Sequence, residues 1–212
     1  MSTSDYKQDA LKAKDKLAEV SPTMCLAKWN QTSLHLPTGL TNSCYHPPLH
    51  KIDADAVKLN PAALHNTQDK LNQRQQMLQG EQPEGCSYCW NIEKTGEMSD
   101  RHYRSGEPWA MQDFEDIRKN PIDEHWTPRY VEVNFNNACN LKCSYCSPQF
   151  STTWGKEIDR YGQYPTSPPH NAPEHFQGRR RPIPNREDNP YVTAFWKWWP
   201  TLYKNLKHFR MT

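Results

Sequence analysis

Hydrophobic and polar positions alternate most clearly in two short stretches. Ser33-Leu34-His35-Leu36 alternates ahead of Pro37-Thr38-Gly39, and a second β-prone run follows. Residues 25–46 therefore read as a hairpin with glycine at its turn. A cysteine stands at each outer end, so pairing the strands brings Cys25 and Cys44 together. Further on, Val131, Val133 and Phe135 alternate with Glu132 and Asn134, between Pro128 and the break at Asn136-Asn137. That is a strand.

Helical spacing appears elsewhere. Over residues 60–80, Leu64, Leu71 and Leu78 recur every seven residues, with Ala63 and Met77 beside them. Asn60 suits the cap, Pro61 the first turn and Gly80 the exit. Residues 150–161 suit a helix after the strand, and Met111–Arg118 a short one. Residues 189–207 start a helix at Asn189-Pro190, which Pro200 breaks or restarts. His208–Thr212 reads as the beginning of another strand. Residues 1–20 lack a strong apolar face and read as a mobile arm or a surface helix. Residues 162–190 are rich in proline and read as an insertion or extended arm. Within it, Arg179–Arg181 suit a solvated basic turn or a phosphate contact.

Composition narrows the function. The 212 residues are 35% hydrophobic, below the roughly 45–50% of ordinary domains, so the core is thin and bound metal would add folding energy. The balance of 26 basic against 24 acidic residues gives no electrostatic case for nucleic acid or an anionic membrane. No run approaches the roughly 20 apolar residues of a membrane span. The polar N-terminus has no signal core, which points to the cytoplasm. Seven cysteines cannot all pair, and in that compartment they are expected as thiols.

Those seven divide into three and four. Cys139, Cys143 and Cys146 follow the second strand as Cys-x3-Cys-x2-Cys. Three thiolates hold a metal centre but leave one position open, as an iron–sulfur cluster with reactive iron needs. A zinc site completed by a distant histidine, or chance, are the other readings. Cys25, Cys44, Cys86 and Cys89 make a four-thiolate set, and on spacing alone zinc fits it at least as well as iron–sulfur. His46 and His102 lie near these cysteines in sequence and are either supporting groups or surface residues.

The segment CNLKCSYC resembles the cluster motif of the radical S-adenosylmethionine (radical SAM) enzymes. The resemblance implies a [4Fe–4S] cluster on Cys139, Cys143 and Cys146, SAM chelating the open iron, and Tyr145 near the adenine. Reductive cleavage of SAM to a 5′-deoxyadenosyl radical then abstracts hydrogen from substrate. Cys25, Gly39-x4-Cys44 and Cys86-x2-Cys89 resemble the SPASM and twitch modules, which implies a second, auxiliary [4Fe–4S] cluster. The stretch from ALHNT through GCSYCWNIE and SDRHY to NACNLKCSYCSP looks like the twitch-domain-containing radical SAM proteins, which also occur in phage genomes.

The fold expected from this is α/β, α+β overall: the start of a partial (β/α)6 radical SAM barrel preceded by a small hairpin-plus-helix iron–sulfur module. The expected segments are 1–20 as an arm, 21–105 as the auxiliary module, 106–128 as a linker and 129–212 as the start of the barrel domain. The Gly-Gly-Glu-Pro segment and later strands that hold SAM in the family have no counterpart before Thr212. The expected partners are accordingly the missing C-terminal half of that domain, a flavodoxin- or ferredoxin-like reductant, and a peptide or protein substrate. The expected location is the cytoplasm, the host's if the chain is phage-encoded. The competing functions are an iron–sulfur electron-transfer or accessory protein and a zinc-stabilised binding module. The Trp-rich segment Phe195–Trp199 is read as a partner contact or as ordinary helix-on-sheet packing.

Overall fold

A computed structural model describes residues 3–162 and 181–212. At its centre is an open, mixed five-stranded sheet, with order β3-β2-β1-β4-β5. The hairpin supplies β1 (Gln31–His35) and β2 (Leu40–Asn42), and β3 (His50–Lys51) extends it antiparallel. The later strand, β4 (Tyr130–Asn134), pairs in parallel with β1, and β5 (His208–Met211) pairs in parallel with β4. One sheet thus runs through both cysteine-bearing regions.

Two apolar cores flank the sheet. Leu34, Val131 and Val133 pack with Tyr191, Phe195, Trp198 and Leu202. The latter four lie on α10 (Pro190–Leu202), capped by Asn189 accepting the Tyr191 and Val192 N–H groups. This helix runs through Pro200 rather than breaking there. Proline in the last turn removes only the one bond its N–H would make to the Trp196 carbonyl. Phe195 and Trp198 are buried, as packing on a sheet requires, whereas Trp196 is exposed and stacks on Phe135 at 5.5 Å.

The other core gathers Leu17, Met24, Leu26, Trp29, Met77, Trp90, Trp109, Phe114 and Ile117. Helices missed in the sequence build much of it, α2 (Ala27–Asn30), α5 (Ser87–Glu93), α6 (Asp100–Gly106) and α7 (Pro108–Met111), whereas α8 (Phe114–Lys119) overlaps the short helix expected over Met111–Arg118. The region expected as a linker therefore carries Trp109, Ala110, Phe114 and Ile117 into the core.

The N-terminal segment forms α1 (Thr3–Ala18), packed on α6. Its buried stripe is Ala10, Ala13 and Leu17, small enough to escape a search for bulky apolar residues. Gly106 permits that approach, since a Cβ there would meet the Asp9 carbonyl oxygen at 2.9 Å.

The expected helix over 60–80 is two pieces. After α3 (Ala54–Leu59), a 3-10 turn covers Pro61–Leu64 with Asn60 as cap, and α4 (Gln68–Leu78) starts afresh at Thr67. Its inward face is not wholly apolar: Lys70 and Arg74 are buried beside Leu71 and Met77. Of the proline-rich segment, 163–180 lie outside the described residues. Beyond it, the Ile183 N–H donates to the Pro37 carbonyl at 2.7 Å, and Arg181 pairs with Asp159 at 2.8 Å.

Candidate metal centres

The three-cysteine loop leaves the C-terminal end of β4. It is held by the helix after it, α9 (Thr152–Tyr161), through the segment Ser151-Thr152-Thr153-Trp154. Thr152 and Thr153 hydroxyls each donate to the Cys139 carbonyl at 3.0 Å. Ser151 donates to the Leu141 carbonyl at 2.7 Å and also caps the helix, accepting from the Trp154 N–H. The Trp154 indole N–H donates to the Cys143 carbonyl at 3.1 Å, and the Cys146 N–H to the same oxygen at 2.9 Å. The loop carbonyls are thereby tied down without using the thiols.

All three thiols are free and half-buried. The Leu141 N–H donates to the Cys139 sulfur at 3.5 Å. Tyr145 is exposed and hydrogen-bonded to Cys143, which pushes the phenol pKa above its ordinary value. The Ser-Thr-Thr-Trp clamp was not anticipated, although a hydroxyl residue immediately before the first helical residue is a capping signal. Ser151→Ala removes both the cap and a loop anchor. It is expected to lower stability by about 1–2 kcal/mol, read from chemical denaturation.

The four other cysteines line a single hollow of about 20 Å³, with Lys28, Met77, Trp90, Arg101 and His46 around it. The topology explains the meeting. Cys25 precedes α2 and β1, and the antiparallel return of β2 carries Cys44 to the same end of the sheet. Cys86 closes a 3-10 turn (Glu84–Cys86) and Cys89 lies one helical turn on, in α5. Burial pushes the Cys44 thiol up to about 12 and the Cys89 thiol up to about 11, and raises that of Cys25. Burial thus favours the protonated form of these three thiols. Among the described residues, no group of three or more His, Cys, Asp or Glu side chains is arranged to hold a metal ion.

The two cysteine sets lie at opposite ends of the sheet. Cys25 and Cys44 flank the N-terminal end of β1, while the Cys139 loop leaves the C-terminal end of β4, which runs parallel to β1 in register. Five strand residues at about 3.3 Å each put roughly 15 Å of sheet between them.

Neither histidine near these sites is a plain surface residue. His46 lines the four-cysteine hollow, pairs with Asp100 at 2.7 Å and stacks on Tyr88 at 3.7 Å. His102 is buried, and its Nδ1 accepts the Ser99 N–H in a capping box at the start of α6. Glu93 holds Arg101 there in a bidentate pair at 2.9 and 2.6 Å. Burial, and then the Arg101 guanidinium, depress the His102 pKa to about 4. The unfolded chain takes up this proton near pH 6.5, whereas the folded chain resists until about 4. Stability present above pH 6.5 is therefore lost as pH falls toward 4, by about 3 kcal/mol. His102→Asn should flatten that part of a denaturation-against-pH profile.

No helix among the described residues is long and apolar enough to cross a membrane. Comparison with protein-family models, with curated proteins and with solved structures gave no match to this chain.

Proposed function

We propose that this chain is a radical SAM enzyme, or the cluster-bearing part of one, with Cys139, Cys143 and Cys146 holding the SAM-cleaving [4Fe–4S] cluster. The observation that carries this reading is the placement of the loop: three free thiols on a loop clamped by α9, at the C-terminal end of a strand in a parallel β1-β4-β5 array. That end is where parallel α/β arrangements keep their chemistry, and β1, β4 and β5 would be strands of the partial barrel. When bound, the cluster supplies an electron to SAM and so a 5′-deoxyadenosyl radical.

The chain's own residues orient that centre. Ser151, Thr152, Thr153 and Trp154 fix the loop carbonyls, and Tyr145 offers an exposed ring beside Cys143 for the adenine. The face of the sheet opposite α10 is polar: Gln31, Ser33 and Asn134 are buried there beside Glu132. A peptide or protein substrate, rich in amide groups, suits such a face.

Cys25, Cys44, Cys86 and Cys89 would hold the auxiliary [4Fe–4S] cluster. Four thiols around one hollow fit such a centre in number and donor type. Its place at the far end of the sheet favours electron handling or structural support over direct ligation of substrate. The reductant would be flavodoxin- or ferredoxin-like, and the setting cytoplasmic. A partner strand beside β5 would continue the parallel array.

The test is anaerobic reconstitution with iron and sulfide, then dithionite and SAM, with any partner polypeptide added. Release of 5′-deoxyadenosine is expected. Two assembled clusters with no 5′-deoxyadenosine under any of these conditions would leave an electron-transfer protein instead, and stoichiometric zinc without sulfide a zinc module.

A further inference from the structure

Three basic side chains are buried, and one of them, Lys28, lines the four-cysteine hollow. Lys28 is 2% exposed, and Lys70 and Arg74 are fully buried. Their close partners are all neutral. Lys28 Nζ donates to the Gln73 amide oxygen at 2.6 Å. Lys70 Nζ donates to the Thr32 and Thr41 hydroxyls at 2.8 and 3.0 Å, under the β1–β2 hairpin. Arg74 reaches the Asn66 amide oxygen, the Lys28 carbonyl and the His65 ring. Among the described residues none of the three forms an ion pair with a carboxylate. Asp69 and Asp123 act on Lys70 and Arg74 only from further away.

This is an expensive arrangement. A buried ion without a counter-ion costs several kcal/mol, and burial, with the neighbouring cations, holds the Lys70 pKa well below its ordinary value. The contrast with Arg101 is informative, for it lines the same hollow but has its own carboxylate in Glu93. What Lys28 and Lys70 do have nearby is sulfur. Lys28 lines the hollow and lies within electrostatic reach of Cys25 and Cys44, and Lys70 within reach of Cys44.

We propose that Lys28 and Lys70 are a built-in counter-charge for an anionic four-thiolate centre on Cys25, Cys44, Cys86 and Cys89. The inference rests on the reading of those cysteines given above. Four thiolates around a [4Fe–4S] core or a zinc ion leave about two negative charges inside the protein. Loading the centre therefore balances the two lysines, and they balance it. The same residues weaken the fold when the thiols are protonated and strengthen it when the centre is assembled.

That reversal of sign is measurable. The full chain carrying Cys139→Ala, Cys143→Ala and Cys146→Ala leaves the four-cysteine centre as the sole reporter. Lys70→Met and Lys28→Met are made in it, with Lys28→Arg as the charge-keeping control. In the chelator-treated, metal-free state the methionine variants should unfold at or above the parent's denaturant midpoint. After anaerobic loading with iron and sulfide they should lose iron to a chelator about tenfold faster than the parent, with a more negative midpoint potential, while Lys28→Arg keeps the parent's values. If the methionine variants are destabilised equally in both states, or load and hold iron as the parent does, the counter-charge proposal is overturned while the metal site stands. A parent that takes up neither iron with sulfide nor zinc overturns the site itself, and the proposal with it.

Discussion

Cys143→Ala is expected to lower the iron and sulfide content of the anaerobically reconstituted chain from about eight each to about four each, and to reduce SAM cleavage to background. The argument is local. Cys143 supplies one of only three thiols on the loop, and its carbonyl is the point at which Trp154 and the Cys146 N–H hold the loop down. Replacing the side chain leaves those backbone bonds in place, so the clamp survives and the change is confined to the metal. The four-cysteine centre lies at the other end of the sheet and should load normally. The complementary pair Cys86→Ser and Cys89→Ser should remove the other four irons. It should also cost the fold more, because both side chains are buried in the core with Trp90 and Met77. A Cys143→Ala protein that retains about eight irons contradicts the assignment of the loop.

Gly39→Ala should be among the most damaging substitutions away from the cysteines. Gly39 sits at the hairpin turn with φ +63°, and a Cβ there would lie 2.3 Å from the ring of Tyr191 on α10. The left-handed backbone costs a non-glycine residue about 1–2 kcal/mol, and forcing the ring aside about 1–3 more, so a loss of roughly 3–4 kcal/mol is expected in denaturant unfolding. Tyr191 is fully buried and its hydroxyl reaches the Ile52 carbonyl at 3.4 Å, so it has little room to retreat. If the clash is the cause, Gly39→Ala in a Tyr191→Ala background should cost less than in the parent by about 1–2 kcal/mol. Because the same hairpin carries Cys44, Gly39→Ala should also weaken loading of the four-cysteine site. The glycine of the Gly-x4-Cys spacing thus has a steric reason of its own in this chain.

Strands and turns were the legible part of the fold. The alternation of residues 33–36 and 131–135 located β1 and β4, because strands half-covered by a core keep a period of two. What alternation could not show is that β1 and β4 pair with each other in parallel, since no local pattern encodes a partner about a hundred residues away. The helices between Ser87 and Met111 were illegible for a related reason. They are only one or two turns long, and they hold their place through Trp90, Trp109 and Phe114 and the Arg101–Glu93 pair, none of which makes a repeating stripe. Helix α1 was left between a mobile arm and a surface helix because alanine packs closely without looking apolar, and the 60–80 helix was drawn too long because its leucine repeat continues across the break at Thr67.

The cysteines themselves were the readable chemistry. That Cys25, Cys44, Cys86 and Cys89 line one hollow follows the hairpin and the Cys-x2-Cys spacing. Their separation from the other three does not, because it depends on the direction of β4 relative to β1. Lys28, Lys70 and Arg74 carry no signal in the sequence: polar residues on an otherwise exposed helix are expected to face water, and only the packing shows that these do not.

The central claim is that Cys139, Cys143 and Cys146 hold a cluster with one iron open to SAM. Electron paramagnetic resonance of the dithionite-reduced chain tests it most directly, with Cys86→Ser and Cys89→Ser present so that one cluster contributes. Addition of SAM should change the g-values of the [4Fe–4S] signal, as direct coordination of an iron requires. A cluster signal that SAM leaves unchanged at saturating concentration, or no cluster at all on these three cysteines, would contradict it.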